Sequence, residues 1–306
     1  MIKIRNVPVD AARKDWPRLM ANAVNELIRN FDVAEDAISR AENLILKTYG
    51  DKVSVKDKGK ALNKFGRNLA ISTTRETIAE LQGATANETF VSTNIIDGVV
   101  SSSASDTTQT IVIEGHTIDG SGNLTFVSQD AVLTGQTEVT LATPLARANR
   151  AYVKPSGVFN TTPAALVGTV SVYDNTDGIS GGVPVTAAAT KLLILPGLTQ
   201  SEKCATSISS TDYWIITGFS TVASDATGPT GFATVVMETR DVANGGAWRP
   251  LGRAYIVFPQ TIGVQRVFDP PFIVPKNHDW RAVAFTDAGT TALDADAEGY
   301  LAVIAT

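Results

Sequence analysis

From residue 69 onward the sequence repeats one pattern. Short runs of alternating or β-branched residues are each closed by Gly, Asn, Asp, Ser or Pro, the signature of strands bounded by turns. Runs at 90–92, 111–114, 124–127, 138–141, 151–154 and 167–173 form a first set. Turn sequences such as Asp119-Gly120-Ser121-Gly122-Asn123 and Thr134-Gly135-Gln136 separate them. Beyond a loop at 174–184 and a linker-like 187–190, a second set follows at 192–195, 207–208, 213–220, 232–239, 254–258, 281–285 and 300–304. No helix-period segment intervenes, which predicts antiparallel sandwiches rather than a βαβ sheet. The expected fold class is mainly β, with antiparallel β-sandwich domains of jelly-roll or Ig-like type behind a short N-terminal α-helical arm.

The arm is read from two apolar stripes at three- and four-residue spacing. The first holds Trp16, Leu19, Met20, Ala23, Val24, Leu27 and Ile28, with Pro17 suited to a first helical turn. The second opens on the capping box Asp32-Val33-Ala34-Glu35 and holds Ala34, Ala37, Ile38, Ala41, Leu44, Ile45 and Tyr49, with Gly50 as its stop. Two such helices cannot bury both stripes alone, so these side chains are the expected assembly interface. The predicted organisation is a helical arm at 1–50, a Lys-rich basic connector at 51–83 with Gly59 and Gly66 as breakers, a first sandwich at 84–186 and a second at 187–306.

Charge separates these parts. Residues 1–83 carry 15 Lys and Arg against 11 Asp and Glu, and the remainder carries 11 against 20, so a region of −9 dominates the total of −5. An acidic β region argues against nucleic acid as a partner, because affinity for phosphate comes mainly from Lys and Arg. The lone Cys204 excludes an internal disulfide and reads as a small packed residue. No apolar run is long enough for a membrane span, and the first residues lack the apolar core of a signal peptide. Assembly in a cytoplasm without a membrane partner is the expectation.

Candidate chemistry is sparse. His116, in Glu114-Gly115-His116-Thr117-Ile118-Asp119, matches no metal-ligand spacing and reads as a polar strand end, and His278 reads as a turn residue. Asp174-Asn175-Thr176-Asp177-Gly178 resembles only the front of a calcium loop, and Asp294, Asp296 and Glu298 alternate along one side of a strand. There is no phosphate loop and no Gly-x-Ser-x-Gly elbow. The aromatics of the second half, Trp214 and Trp248 among them, read first as sandwich core and second as a platform for sugars. No catalytic residue, metal ligand or cofactor site is nominated.

Two parts of the chain resemble bacteriophage virion proteins. Trp16-Pro17-Arg18-Leu19-Met20-Ala21-Asn22-Ala23-Val24-Asn25 is similar to the N-terminal segments of phage fibre and other trimeric appendage proteins. A longer match runs through Lys64-Phe65-Gly66-Arg67-Asn68, Ser72-Thr73-Thr74-Arg75-Glu76-Thr77-Ile78, Arg147-Ala148-Asn149-Arg150-Ala151, Trp248-Arg249-Pro250-Leu251 and Phe268-Asp269-Pro270-Pro271-Phe272. These resemble structural proteins from phage head and tail gene clusters. The resemblance implies a non-enzymatic virion subunit, a decoration or appendage protein of the capsid or head–tail junction, assembling as a homotrimer beside capsid, portal or tail subunits. The alternative it leaves is a receptor-binding fibre module that recognises a host surface glycan through exposed aromatics and loop carboxylates.

Overall fold

The computed structural model describes residues 54–55, 60–81, 87–155, 165–225, 231–243, 245–258, 263–287 and 289–305. The helical arm and all of its expected interface side chains lie outside them. The strands of the first half are β1 (Ser54–Val55), β2 (Lys64–Ile71), β3 (Glu76–Thr77), β4 (Ile96–Ser101), β5 (Thr110–Ile118), β6 (Leu124–Val132), β7 (Val139–Leu145), β8 (Arg147–Val153) and β9 (Val170–Asp174). A small hairpin of β10 (Ile179–Ser180) and β11 (Val183–Pro184) precedes β12 (Thr190–Ile194) and β13 (Ala205–Ser207). The long strands come last: β14 (Asp212–Asp225), β15 (Gly231–Asp241), β16 (Arg249–Phe258), β17 (Gly263–Val274), β18 (His278–Thr286) and β19 (Thr291–Ala305).

They build two antiparallel sandwiches. In the first, the sheet β12-β9-β4-β7 faces the sheet β6-β5-β8. Ile96, Val99, Val172, Leu192 and Leu145 from one side meet Ile111, Ile113, Ala148 and Val153 from the other. In the second, β19, β14 and β17 run in order with β1 and β2 beside β19, while β18, β15 and β16 run in order with β13 and β3 beside β18. Their inner faces supply a core of Trp214, Ile216, Phe219 and Leu293 against Val235, Met237, Ile256 and Trp280. Trp214 and Trp280 pack edge to face with ring centres 4.9 Å apart, and Trp214 Nε1 donates to the carbonyl of Leu62 at 3.1 Å. Cys204 lies wholly buried in this core, its thiol pushed up by burial.

Several expectations need correction. Lys64–Ile71, assigned to a solvated connector, is a strand paired with β19, and Lys64 is buried. Glu76–Thr77 pairs with β18, so part of the expected connector belongs to the second sandwich. Leu192–Ile194, expected in the second set, lies in β12, which pairs with β9 and completes the first sandwich. The linker-like Ala187–Ala189 is one turn of 3-10 helix. Strand β17 is not expected from the sequence because Pro270-Pro271 cannot donate to a ladder; as an edge strand it bonds β14 on one side only.

Gly66 shows why the front of β2 is not a breaker. A Cβ there would stand 2.2 Å from the amide nitrogen of Cys204 and 2.3 Å from the carbonyl oxygen of Ile78. The two sheets of the second sandwich thus meet backbone to backbone at this corner, where only hydrogen fits. Gly66→Ala is expected to destabilise the chain by roughly 3 kcal/mol or more, through overpacking that backbone cannot relieve, as read by urea denaturation.

Candidate functional site

The densest chemistry among the described residues lies where the sandwiches meet. Strand β8 of the first presents Arg147, Ala148 and Asn149 towards β13 and β18 of the second. Asp279, with no exposed surface, receives Arg147 Nε at 2.8 Å and Arg147 Nη2 at 3.1 Å. The same carboxylate accepts Arg240 Nε at 3.0 Å and the Ser207 hydroxyl at 2.5 Å. A buried carboxylate is tolerated when its lone pairs are met by fixed cations and donors, and the forked guanidinium meets two at once.

Lysines repeat the device along the seam. Lys64 Nζ, from the second sandwich, donates to the carbonyl of Asn149 at 2.6 Å. Lys203 Nζ donates to the carbonyl of Ala148 at 2.7 Å and pairs with Glu88 at 2.9 Å. Asn149 accepts the Ser207 amide and turns its own Nδ2 to His116 Nδ1 at 3.0 Å, so that ring nitrogen is an acceptor. Burial lowers His116 to about 4, with Arg147 and Lys64 adding to the effect against Asp279. Burial also lowers Lys64 to about 7, helped by neighbouring Lys203. His116 is therefore a neutral seam residue inside β5, not the polar strand end expected.

At the rim the guanidinium groups are layered with rings. Phe90 lies against Arg147 and Arg240, at 5.3 and 5.2 Å, and Trp248 against Arg240 and Arg281, at 4.8 and 4.0 Å. Glu238, buried beneath, accepts Arg281 at 2.6 Å and Arg75 as well. Trp248 is thus layered with two guanidinium groups and Trp214 is wholly buried. The Asp174 cluster is a turn, with Asp174 Oδ1 accepting the Thr176 amide at 3.0 Å and Asp177 accepting that of Thr186 at 2.6 Å. Among the described residues no group of three or more His, Cys, Asp or Glu is placed to hold a metal ion, and no helix is long and apolar enough to cross a membrane.

Two surface features remain. A cleft of about 510 Å³ opens between β16 and β17, floored by Phe219, Met237 and Phe272 and bordered by Arg253 and Arg266. Across the same sandwich, the outer face of β2, β19 and β14 holds a shallower hollow of about 210 Å³ with Arg67, Glu202, Asp294 and Asp296. Burial raises the Asp296 and Glu202 carboxyls, with Glu298 adding to the first and Asp294 to the second. Asp294, Asp296 and Glu298 do alternate along one side of β19, as the spacing predicts, because Leu293, Ala295 and Ala297 face the core.

The seam leaves little mark on the sequence. Its one legible trace is Arg147-Ala148-Asn149 and Asp279-Trp280-Arg281, where long polar residues alternate with small or aromatic buried ones.

No protein-family model and no curated protein matches the chain. Among solved structures, it is similar to the N-terminal CBM22-1-CBM22-2 tandem domain of Xyn10C from Paenibacillus barcinonensis, at 13% identity over 82% of this chain and 99% of that one, with a TM-score of 0.20. It is also similar to a structure of the Gt strain of infectious bursal disease virus, at 12% identity over 84% and 75% with a TM-score of 0.17. T=1 particles derived from infectious bursal virus align at 10% identity over 84% and 76%, with a TM-score of 0.19. Superpositions this shallow carry no argument about the chain.

Removing Arg147 leaves Asp279 buried with half its cationic support. Arg147→Ala is expected to destabilise by roughly 3–5 kcal/mol and to split thermal unfolding into two transitions, seen by calorimetry. His116 takes a proton less readily folded than unfolded, so its contribution to stability is complete above about pH 6.5 and is lost as pH falls towards about 4. Unfolding free energies should show wild type losing roughly 3 kcal/mol more than His116→Gln across that window.

Proposed function

We propose that the chain is a non-enzymatic structural subunit of a bacteriophage virion, a decoration or appendage protein of the capsid or head–tail junction that is assembled in the host cytoplasm. The observation that carries this reading is the seam. Arg147, Asp279, Lys64, Lys203, Glu88 and His116 are buried and committed to joining two sandwiches, and an arrangement that spends its polar groups on holding two β bodies together suits a structural subunit. The motifs resembling phage head and tail proteins, Arg147-Ala148-Asn149 and Trp248 among them, fall on this seam. That gives part of the resemblance a physical content: some of the residues that carry it join the two sandwiches.

The apolar stripes from Trp16 to Ile45 need a covering surface, and a homotrimer formed through them supplies it. Beyond itself the subunit would contact other virion proteins rather than nucleic acid or membrane. Mass measurement in solution tests this. In about 1 M salt, which screens contacts between exposed charges to about 3 Å, the intact chain is expected as a trimer, and a chain lacking residues 1–50 as a folded monomer. An intact chain that is monomeric at the same concentrations overturns the reading.

A further inference from the structure

The arginines divide sharply. Arg67, Arg75, Arg147, Arg240 and Arg281 each pair with a carboxylate, and Arg150 bonds Gln200 and stacks on Tyr152. Among the described residues, Arg249, Arg253 and Arg266 have no such partner, although this part of the chain has carboxylates in excess. All three stand on β16 and β17, the two strands that end their sheets on the same side of the second sandwich. Arg253 and Arg266 border the cleft between those strands, whose floor of Phe219, Met237 and Phe272 is apolar, and Val267 beside them is 81% exposed.

This edge is not built to add another strand. Pro250 in β16 and Pro270-Pro271 in β17 lack amide donors. Arg266 lies opposite Phe219 in the β14–β17 register and so projects to the cleft side, an inward charge that disfavours strand addition. What suits it is a side-chain contact: carboxylates for the guanidinium groups and apolar groups for the cleft.

The chain carries that complement on its opposite face. The outer surface of β2, β19 and β14 combines Asp294, Asp296 and Glu298 with the exposed apolar side chains of Leu69 and Val222, 53% and 43% exposed. Arg67 on the same face pairs with Asp294 at 3.4 Å, which leaves Asp296 and Glu298 without a cationic partner among the described residues. We infer that the arginine-rimmed edge of β16 and β17 docks on the acidic outer face of β19 in a second copy of the same chain. Because the two surfaces differ, the contact is head-to-tail, and repetition extends it into a ring or an array rather than closing it as a dimer. The inference stands apart from the arm, which joins copies through different residues.

Sedimentation velocity on the full chain tests it at about 0.1 M and about 1 M salt, between which the Debye length falls from about 10 Å to about 3 Å. Wild type is expected to form species larger than the arm-mediated oligomer at low salt and to lose them at high salt. The edge variant Arg253→Glu/Arg266→Glu and the face variant Asp294→Arg/Glu298→Arg should each lack those species alone. An equimolar mixture of the two should restore them, since each reversed surface then meets its opposite. All four positions lie at least partly open, and the milder Arg253→Gln/Arg266→Gln should show an intermediate loss with unchanged thermal unfolding. Larger species that survive in either reversed variant, or a wild type that never exceeds the mass of its edge variant, overturn the inference. Either result leaves the trimer test of the arm unaffected.

Discussion

A carboxylate sealed from water needs donors and cations brought to its oxygens, and Asp279 draws one guanidinium from each sandwich. Arg147 arrives from the first with two parallel bonds, and Arg240 comes from the second. Apolar packing is indifferent to small sliding, but a forked pair is directional and fixes angle as well as distance. The mutual setting of the sandwiches therefore follows from this pair and the lysine contacts beside it. Remove the directionality and two separate apolar cores would remain, each complete in itself.

The second sandwich also depends on chain that precedes the first. Strand β2 lies along β19 and sends Lys64 to Asn149, while Gly66 lets its backbone press on Cys204 and Ile78. From Lys64 onward the chain thus starts in the second sandwich, passes through the first and returns. Such an interleaved path couples the two bodies by connectivity as well as by charge.

The β architecture is legible where a strand has one wet face, as at 254–258, where Ala254, Ile256 and Phe258 are buried and Tyr255 and Val257 exposed, and elsewhere from β-branched enrichment between turn residues. Strands whose constraint is tertiary are not. Lys64-Phe65-Gly66-Arg67-Asn68 reads as soluble tether until a carbonyl 85 residues away is seen to receive the lysine. β17 hides behind two prolines that only an edge position permits. Leu192 carries nothing to say which sandwich it will join, since β-branched runs pair with any partner the topology brings near. The seam was the least visible of all, because Arg147, Asn149, Lys203 and Asp279 look like surface residues unless their partners are known. Asp294, Asp296 and Glu298 were placed correctly on one side of a strand because period two alone decides it.

Cys204 lends the molecule a property unrelated to assembly. It is the chain's single sulfur nucleophile, held in the core with its thiol kept protonated by burial. A thiol reagent in solution therefore meets nothing to modify while the second sandwich is shut. The rate at which it does react becomes a clock for how often that sandwich opens, readable without adding any label to the protein.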